Sequence, residues 1–155
     1  MGNVLKRRLK QSSFESAEQE AILNILVSSN HIKSKIEAVC IKYGITISQF
    51  NVLRILNGKY PEGYPRCDII SRMIDPAPDV TRLIDRLKKQ GIVERYASIE
   101  DRRLSIAKIT KKGIAVLNKI KPKIDELNSL ISGTLNIAER EQLSFLLEKV
   151  YSNLF

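Results

Sequence analysis

The 155-residue chain has no tryptophan, a single histidine, two cysteines and seven glycines, and each scarcity closes off a class of function. Cys40 and Cys67 are too few for a disulfide framework and suit a reducing cytoplasm. His31 stands without a cysteine or carboxylate at ligand spacing, so no metal centre is expected. There is no glycine-rich phosphate loop, no G-x-S-x-G and no paired-cysteine motif, which argues against an enzyme and against a bound cofactor. No apolar run approaches the ~20 residues that a membrane span needs. The N-terminal MGNVLKRRLK is basic, but no apolar core follows it, unlike a secretory signal. The expectation is a soluble, cytoplasmic protein.

What the chain does have is positive charge. Lys and Arg number 26 against 17 acidic residues, a formal net charge of +9. Such an excess favours a polyanionic partner, nucleic acid ahead of an anionic membrane surface. The length suits one domain with a substantial core.

The stretch from Pro78 to Gly113 organises the rest. Val80, Leu83, Ile84 and Leu87 recur at i, i+3, i+4 and i+7, one apolar face of a helix, with Arg82, Asp85, Arg86 and Lys89 opposite. The pattern predicts a helix over about 78–90, with Pro78 in its first turn, Asp79 at its positive end and Gly91 as a left-handed stop. Ala77 sits where a Ser or Thr cap would normally stand, so Asp79 or Asp75 is expected to serve instead. The period then becomes two, over Val93–Tyr96 and again over Leu104–Ile109, which reads as a hairpin whose loop, about 98–104, is charged. Thr110 is placed to cap another helix. A basic helix fits the major groove of duplex DNA, and a narrow arginine-bearing loop fits the adjacent minor groove. On pattern alone, an amphipathic helix followed by a solvated hairpin fits equally well.

The run VTRLIDRLKKQGIVERYASIEDRRLSIAKIT resembles the recognition helix and wing of the MarR family of bacterial transcriptional regulators. Asp101-Arg102-Arg103 matches the family's D-x-R wing motif, and Ile109-Thr110-Lys111-Lys112-Gly113 is similar to its LT-x-x-G continuation. The resemblance implies a mainly α fold: a winged helix-turn-helix DNA-binding lobe, 46–112, flanked by dimerisation helices at 14–43 and 114–155. It also implies a homodimer on a pseudo-palindromic operator, and a small aromatic or phenolic ligand that relieves repression.

The flanking sequence agrees with that layout. Val4 to Lys10 reads as a solvated basic tail. From Glu15 to about Lys42, Ile22, Ile25, Ser29, Ile32, Ile36 and Val39 form a coiled-coil-like seam. Thr46 and Gln49 fit a capping box for a helix burying Phe50, Leu53 and Leu56. Asn57 to Pro65 reads as a loop, and Cys67 to Ile74 as a short helix packing Ile69, Ile70 and Met73. After the hairpin, Leu117, Ile120, Ile124, Leu127 and Ile131 hold one helix to Gly133, kinked at Pro122. Asn136 with Glu139 starts a last helix carrying Leu143, Leu146, Leu147, Val150, Tyr151 and Leu154. Phe14, Tyr43, Phe50 and Tyr60 are expected in the core rather than against a ligand.

The residues expected to meet DNA are Thr81, Arg82, Arg86 and Lys89 on the recognition helix, with Arg102 and Arg103 on the wing. For Arg82 and Arg86, guanine contacts and phosphate contacts both remain open. By resemblance Arg103 is the minor-groove arginine, oriented by Asp101. Lys108, Lys111 and Lys112 would add phosphate attraction. Two alternatives stay in view. One is a protein-interaction winged-helix module with only non-specific DNA affinity, for which the outward Asp79 and Asp85 leave room. The other is a redox-responsive regulator using Cys67, beside Arg66 at a helix start. RNA is disfavoured, because A-form grooves exclude such a helix and no aromatic stacking platform is visible.

Overall fold

Thr46 sets the first fixed point of the lobe. Its hydroxyl accepts from the Gln49 amide while the Gln49 side chain takes the Thr46 N–H, a complete capping box that starts α3 (Ile47–Asn57). From there Phe50, Leu53 and Leu56 turn inward, all buried, with Val52 beside them. The computed structural model describes residues 2–75, 79–98 and 104–152. Around α3 the order is α1 (Asn3–Leu9), α2 (Ala17–Ile41), then β1 (Tyr64–Pro65), α4 (Arg66–Ser71), α5 (Val80–Lys89), β2 (Val93–Ala97) and β3 (Ser105–Ile109). The chain closes with α6 (Lys111–Asp125), α7 (Asn128–Ser132) and α8 (Ile137–Tyr151). This is the mainly α, winged helix-turn-helix arrangement that the sequence implies.

The core lies where α3, α5, α6 and β3 meet. Leu53, Leu56, Ile69, Leu87, Ile109 and Ile120 are its largest fully enclosed side chains. Each contributes about 1.5–3 kcal/mol by leaving water. Cys40 joins them from the end of α2.

α5 is well specified at both ends. Asp79 caps it, accepting from the Arg82 N–H at 3.0 Å. Gly91, at φ 71°, ends it. The Gly91 N–H returns to the Lys88 carbonyl and the Ile92 N–H to the Leu87 carbonyl, a Schellman closure. The helix therefore starts two residues later than the pattern suggested; Pro76, Ala77 and Pro78 lie outside the described residues. α6 begins at once against this end. The Thr110 hydroxyl accepts from the Gly113 N–H and donates to the Gly91 carbonyl, and Lys112 Nζ donates to the Gln90 carbonyl at 2.9 Å. Gly113 is obligatory here, because a Cβ would fall against the Ile92 carbonyl oxygen.

Five expectations are corrected. Val4 to Lys10 is not a free tail: Asn3–Leu9 is helical, and Leu5 is buried where the helix packs on the start of α2. The loop before α4 ends in a strand, for Tyr64 and Pro65 pair antiparallel with Ala107 and Ile106, so the hairpin is part of a three-stranded sheet in the order β1-β3-β2. The helix expected over Cys67–Ile74 is Arg66–Ser71; Ile69 is buried, but Ile70 faces outward. The single helix expected to reach Gly133 stops at Asp125, three residues beyond Pro122, and resumes as α7, which divides the apolar seam between two helices. Lastly, Tyr60 is exposed rather than core, whereas Phe50 is buried and Tyr43 packs at the core's edge.

Candidate nucleic-acid interface

α5 presents its outer face as a row of cations. Arg82 is 81% exposed, and its Nε pairs with Asp79 Oδ2 at 2.8 Å. Arg86, Lys88 and Lys89 are exposed toward the C-terminal end, where positive charge complements the helix dipole, and among the described residues no carboxylate pairs with them. Thr81 is half-buried at the other end and accepts from Arg66 Nη1 at 3.4 Å. Thr81, Arg82, Arg86 and Lys89 thus lie along one helix, the first two near its start. Asp101, Arg102 and Arg103 lie outside the described residues.

The hairpin that carries the wing is fixed to this helix. Arg95 on β2 pairs through Nη1 with Asp85 Oδ1 at 2.9 Å, and its Nε donates to Ser105 Oγ on β3 at 3.1 Å. One half-buried guanidinium therefore ties α5 to both long strands. On the other side of the sheet, the Tyr96 hydroxyl donates to the Glu62 carbonyl, fastening the wing to the segment before β1. The Ser98 N–H donates to the Leu104 carbonyl, at the base of the wing loop. Lys108 Nζ pairs with Glu94 at 3.0 Å and sits 5.5 Å from the Tyr96 ring centroid. Its hydrogen bond to Glu94 holds the ammonium above its ordinary pKa. Lys108 and Lys112 thus both have partners within the protein, while Lys111 is exposed.

Sequence reasoning missed two arginines here. Arg66, noticed only as a neighbour of Cys67, stands beside Thr81. Arg95, ten residues beyond Asp85, has no role in the sequence reading beyond its place in the alternating strand. A helix acid facing the strand that directly follows the helix was the available signal. The two aspartates that left room for a protein partner are also accounted for: Asp79 caps α5 and pairs with Arg82, and Asp85 holds Arg95.

The two cysteines differ sharply. Cys40 is fully enclosed, and burial, with the nearby Glu37 charge, pushes its thiol up to about 11. Cys67 is exposed, its Sγ 3.5 Å from Asp68 Oδ1.

A second feature lies away from the cationic face. α2, α3, the segment after α4, α7 and α8 enclose a cleft of about 590 Å³. Its walls include Ile25, Ile32, Ile36, Phe50, Met73 and Leu147, with Ser48, Asn51 and Arg54 contributed by α3. Lys33 and Asp75 line it too and are joined by an ion pair of 2.9 Å, which links α2 to the approach to α5.

No family model matches the chain. Individual proteins do. It is 35% identical over 95 residues to the HTH-type transcriptional regulator MhqR of Bacillus subtilis, a match covering 59% of this chain and 64% of that protein. It is 32% identical to a MarR transcription factor from Planctomyces limnophilus of known structure, superposing with a TM-score of 0.67 over 88% of this chain and 98% of the other. The fold also matches that of Staphylococcus aureus MepR in its complex with DNA, with a TM-score of 0.76 at 24% identity over 83% and 94% of the two chains.

Proposed function

The chain belongs to the MarR family of transcription regulators, and from that premise we propose that it is a homodimeric, sequence-specific double-stranded DNA-binding repressor. One observation carries the reading. The exposed Arg82, Arg86 and Lys89 of α5 are held in fixed relation to the wing hairpin by the Asp85–Arg95–Ser105 connection. A helix and a loop that must enter neighbouring grooves together need such a connection. Arg82 and Arg86 address base edges or phosphates in the major groove, Thr81 and Lys89 flank them, and Arg102 with Arg103, the latter oriented by Asp101, address the minor groove. The action is binding alone, without a catalytic step, in the cytoplasm; among the described residues no helix is long and apolar enough to cross a membrane.

Dimerisation is supported by surface that one copy leaves uncovered. Phe145, Leu146 and Val150 on α8 and Ile22 and Leu26 on α2 are all exposed. Exposed large apolar side chains on both flanking helices favour an interface, and closed two-fold pairing is its commonest form. Two recognition helices would then meet half-sites about one helical turn apart. The apolar cleft between the lobe and the flanking helices supports a small aromatic or phenolic effector, which acts by preferring one separation of the two lobes.

The test is selection of the purified protein against a random duplex-DNA pool at moderate salt. A recovered two-fold motif supports the reading, whereas uniform, salt-sensitive retention would reduce it to electrostatics. On the recovered site, Arg103→Ala should weaken binding about tenfold while leaving the sedimentation of the protein unchanged. Full affinity in that variant would remove the wing arginine from the mechanism.

A further inference from the structure

The first turn of α5 carries an arginine that the fold does not need. Arg82 is the third residue of the helix, and with its side chain 81% exposed it adds little to packing. A cation in this place also opposes the positive end of the helix dipole. Asp79 answers that charge with both of its oxygens. Oδ1 accepts the Arg82 N–H at 3.0 Å and so caps the helix, while Oδ2 lies 2.8 Å from Arg82 Nε. The carboxylate therefore stands against the inner nitrogen of the guanidinium. Among the described residues, no acceptor takes a hydrogen bond from its two outer nitrogens, Nη1 and Nη2. Arg86, one turn further on, is exposed, and among the described residues no carboxylate pairs with it.

We propose, resting on the duplex-DNA reading above, that Asp79 is a positioning residue that commits Arg82 to a guanine rather than to a phosphate. The two ligands differ in what they ask of an arginine. A phosphate is held largely by net charge, and a carboxylate beside Nε offsets much of the guanidinium's attraction for a second anion. Guanine O6 and N7 are uncharged acceptors side by side, and they need two parallel N–H donors at a fixed angle. The Nη1–Nη2 edge is such a pair. The N-terminal residues of a recognition helix are also the ones that reach base edges. As an exposed ion pair, Asp79–Arg82 adds little to stability. Its effect is to restrict a long side chain before the groove is entered, which lowers the ordering cost of the contact. Arg86, unpaired, keeps its whole charge, so the two arginines of one helix are not equivalent.

The test uses the full-length protein on the duplex site recovered by selection, with each base pair of one half-site varied in turn. The wild-type protein should prefer guanine about tenfold at the position that Arg82 reads. Arg82→Gln should erase the preference at that position alone and leave the salt dependence of binding unchanged. Asp79→Asn retains a capping side chain and should retain the melting temperature. It should nevertheless lower the same preference severalfold, while binding to random duplex grows stronger. A merely structural role for Asp79 would not single out the base that Arg82 reads. Uniform weakening by Arg82→Gln, with the salt slope reduced by about one, would make Arg82 a phosphate ligand. A wild-type base profile in Asp79→Asn would leave the brace without effect. Either result overturns the proposal while the sequence-specific regulator stands. A wild-type protein without base preference at any position would sink both.

Discussion

The winged-helix lobe and the helices that flank it differ in where their apolar surface goes. All but one of the buried hydrophobic side chains among the described residues lie between Cys40 and Ile120; the exception is Leu5. α8 buries none, leaving Phe145 59% and Val150 64% exposed. The lobe is thus stabilised from within, by enclosed side chains and by polar bonds such as Asp85–Arg95. The flanks carry residues as apolar as those of the core but without cover in one copy. In the proposed dimer, stability and assembly therefore fall mainly to different stretches of chain, so they can be perturbed separately.

The sharpest way to break that division is a pair of substitutions. Leu53→Ala, at a fully enclosed site, should cost about 2–5 kcal/mol in denaturant unfolding, at any protein concentration. Leu146→Asp on α8 should leave the lobe's own unfolding nearly unchanged. It should shift the sedimentation equilibrium to the monomer and remove the concentration dependence that dimerisation gives apparent stability, so that its loss relative to the wild type grows with protein concentration. A concentration-independent loss in both would show that α8 belongs to the same cooperative core. A smaller effect tests the connection inside the lobe. Arg95→Met should reduce stability by about 1 kcal/mol or less, because the pair is partly exposed. Discrimination between specific and random duplexes should nevertheless fall severalfold, since helix and wing no longer move together; a variant that discriminates like the wild type would deny the pair its positioning role.

The mildest effect appears only in alkali. Cys40 is raised from 9.0 to about 11 in the folded protein, so folding holds a proton that the unfolded chain releases earlier. Its contribution is complete below pH 9 and is lost as pH rises from about 9 through 11. Cys40→Ala should flatten stability over that window, at the cost of a small cavity. At neutral pH, a thiol reagent should modify Cys67 in the native protein and reach Cys40 only on unfolding. Rapid modification of both would place Cys40 outside the core.

What could be read in advance follows the range of each signal. The capping boxes at Thr46–Gln49 and Asn136–Glu139 and the stop at Gly91 are local, and each stands where the residues put it. The recognition helix was legible through its period and overextended only at its start, because Pro78 and Asp79 both suit an N-terminus. Tyr64–Pro65 escaped because two residues have no period, and their partners on β3 lie some forty positions on. The break between α6 and α7 was hidden by the seam itself, since Ile124, Leu127 and Ile131 keep their spacing across it. The helical form of Asn3–Leu9 was masked by its basic composition. Asp85–Arg95 joins a helix to a strand, where neither period applies.

The junction between α5 and α6 bears on how the arginine-bearing helix is held. Thr110 and Lys112 bond the Gly91 and Gln90 carbonyls, just past the end of the recognition helix, to the first turn of its successor, and Gly113 leaves room for the Ile92 carbonyl beside them. Only two short strands and their loop separate these helices in sequence, yet in space they share an end. Two hydrogen bonds join Gln90 and Gly91, just past the end of α5, to the start of α6, so the helix that carries the arginines is moored at its C-terminal end as well as to the wing.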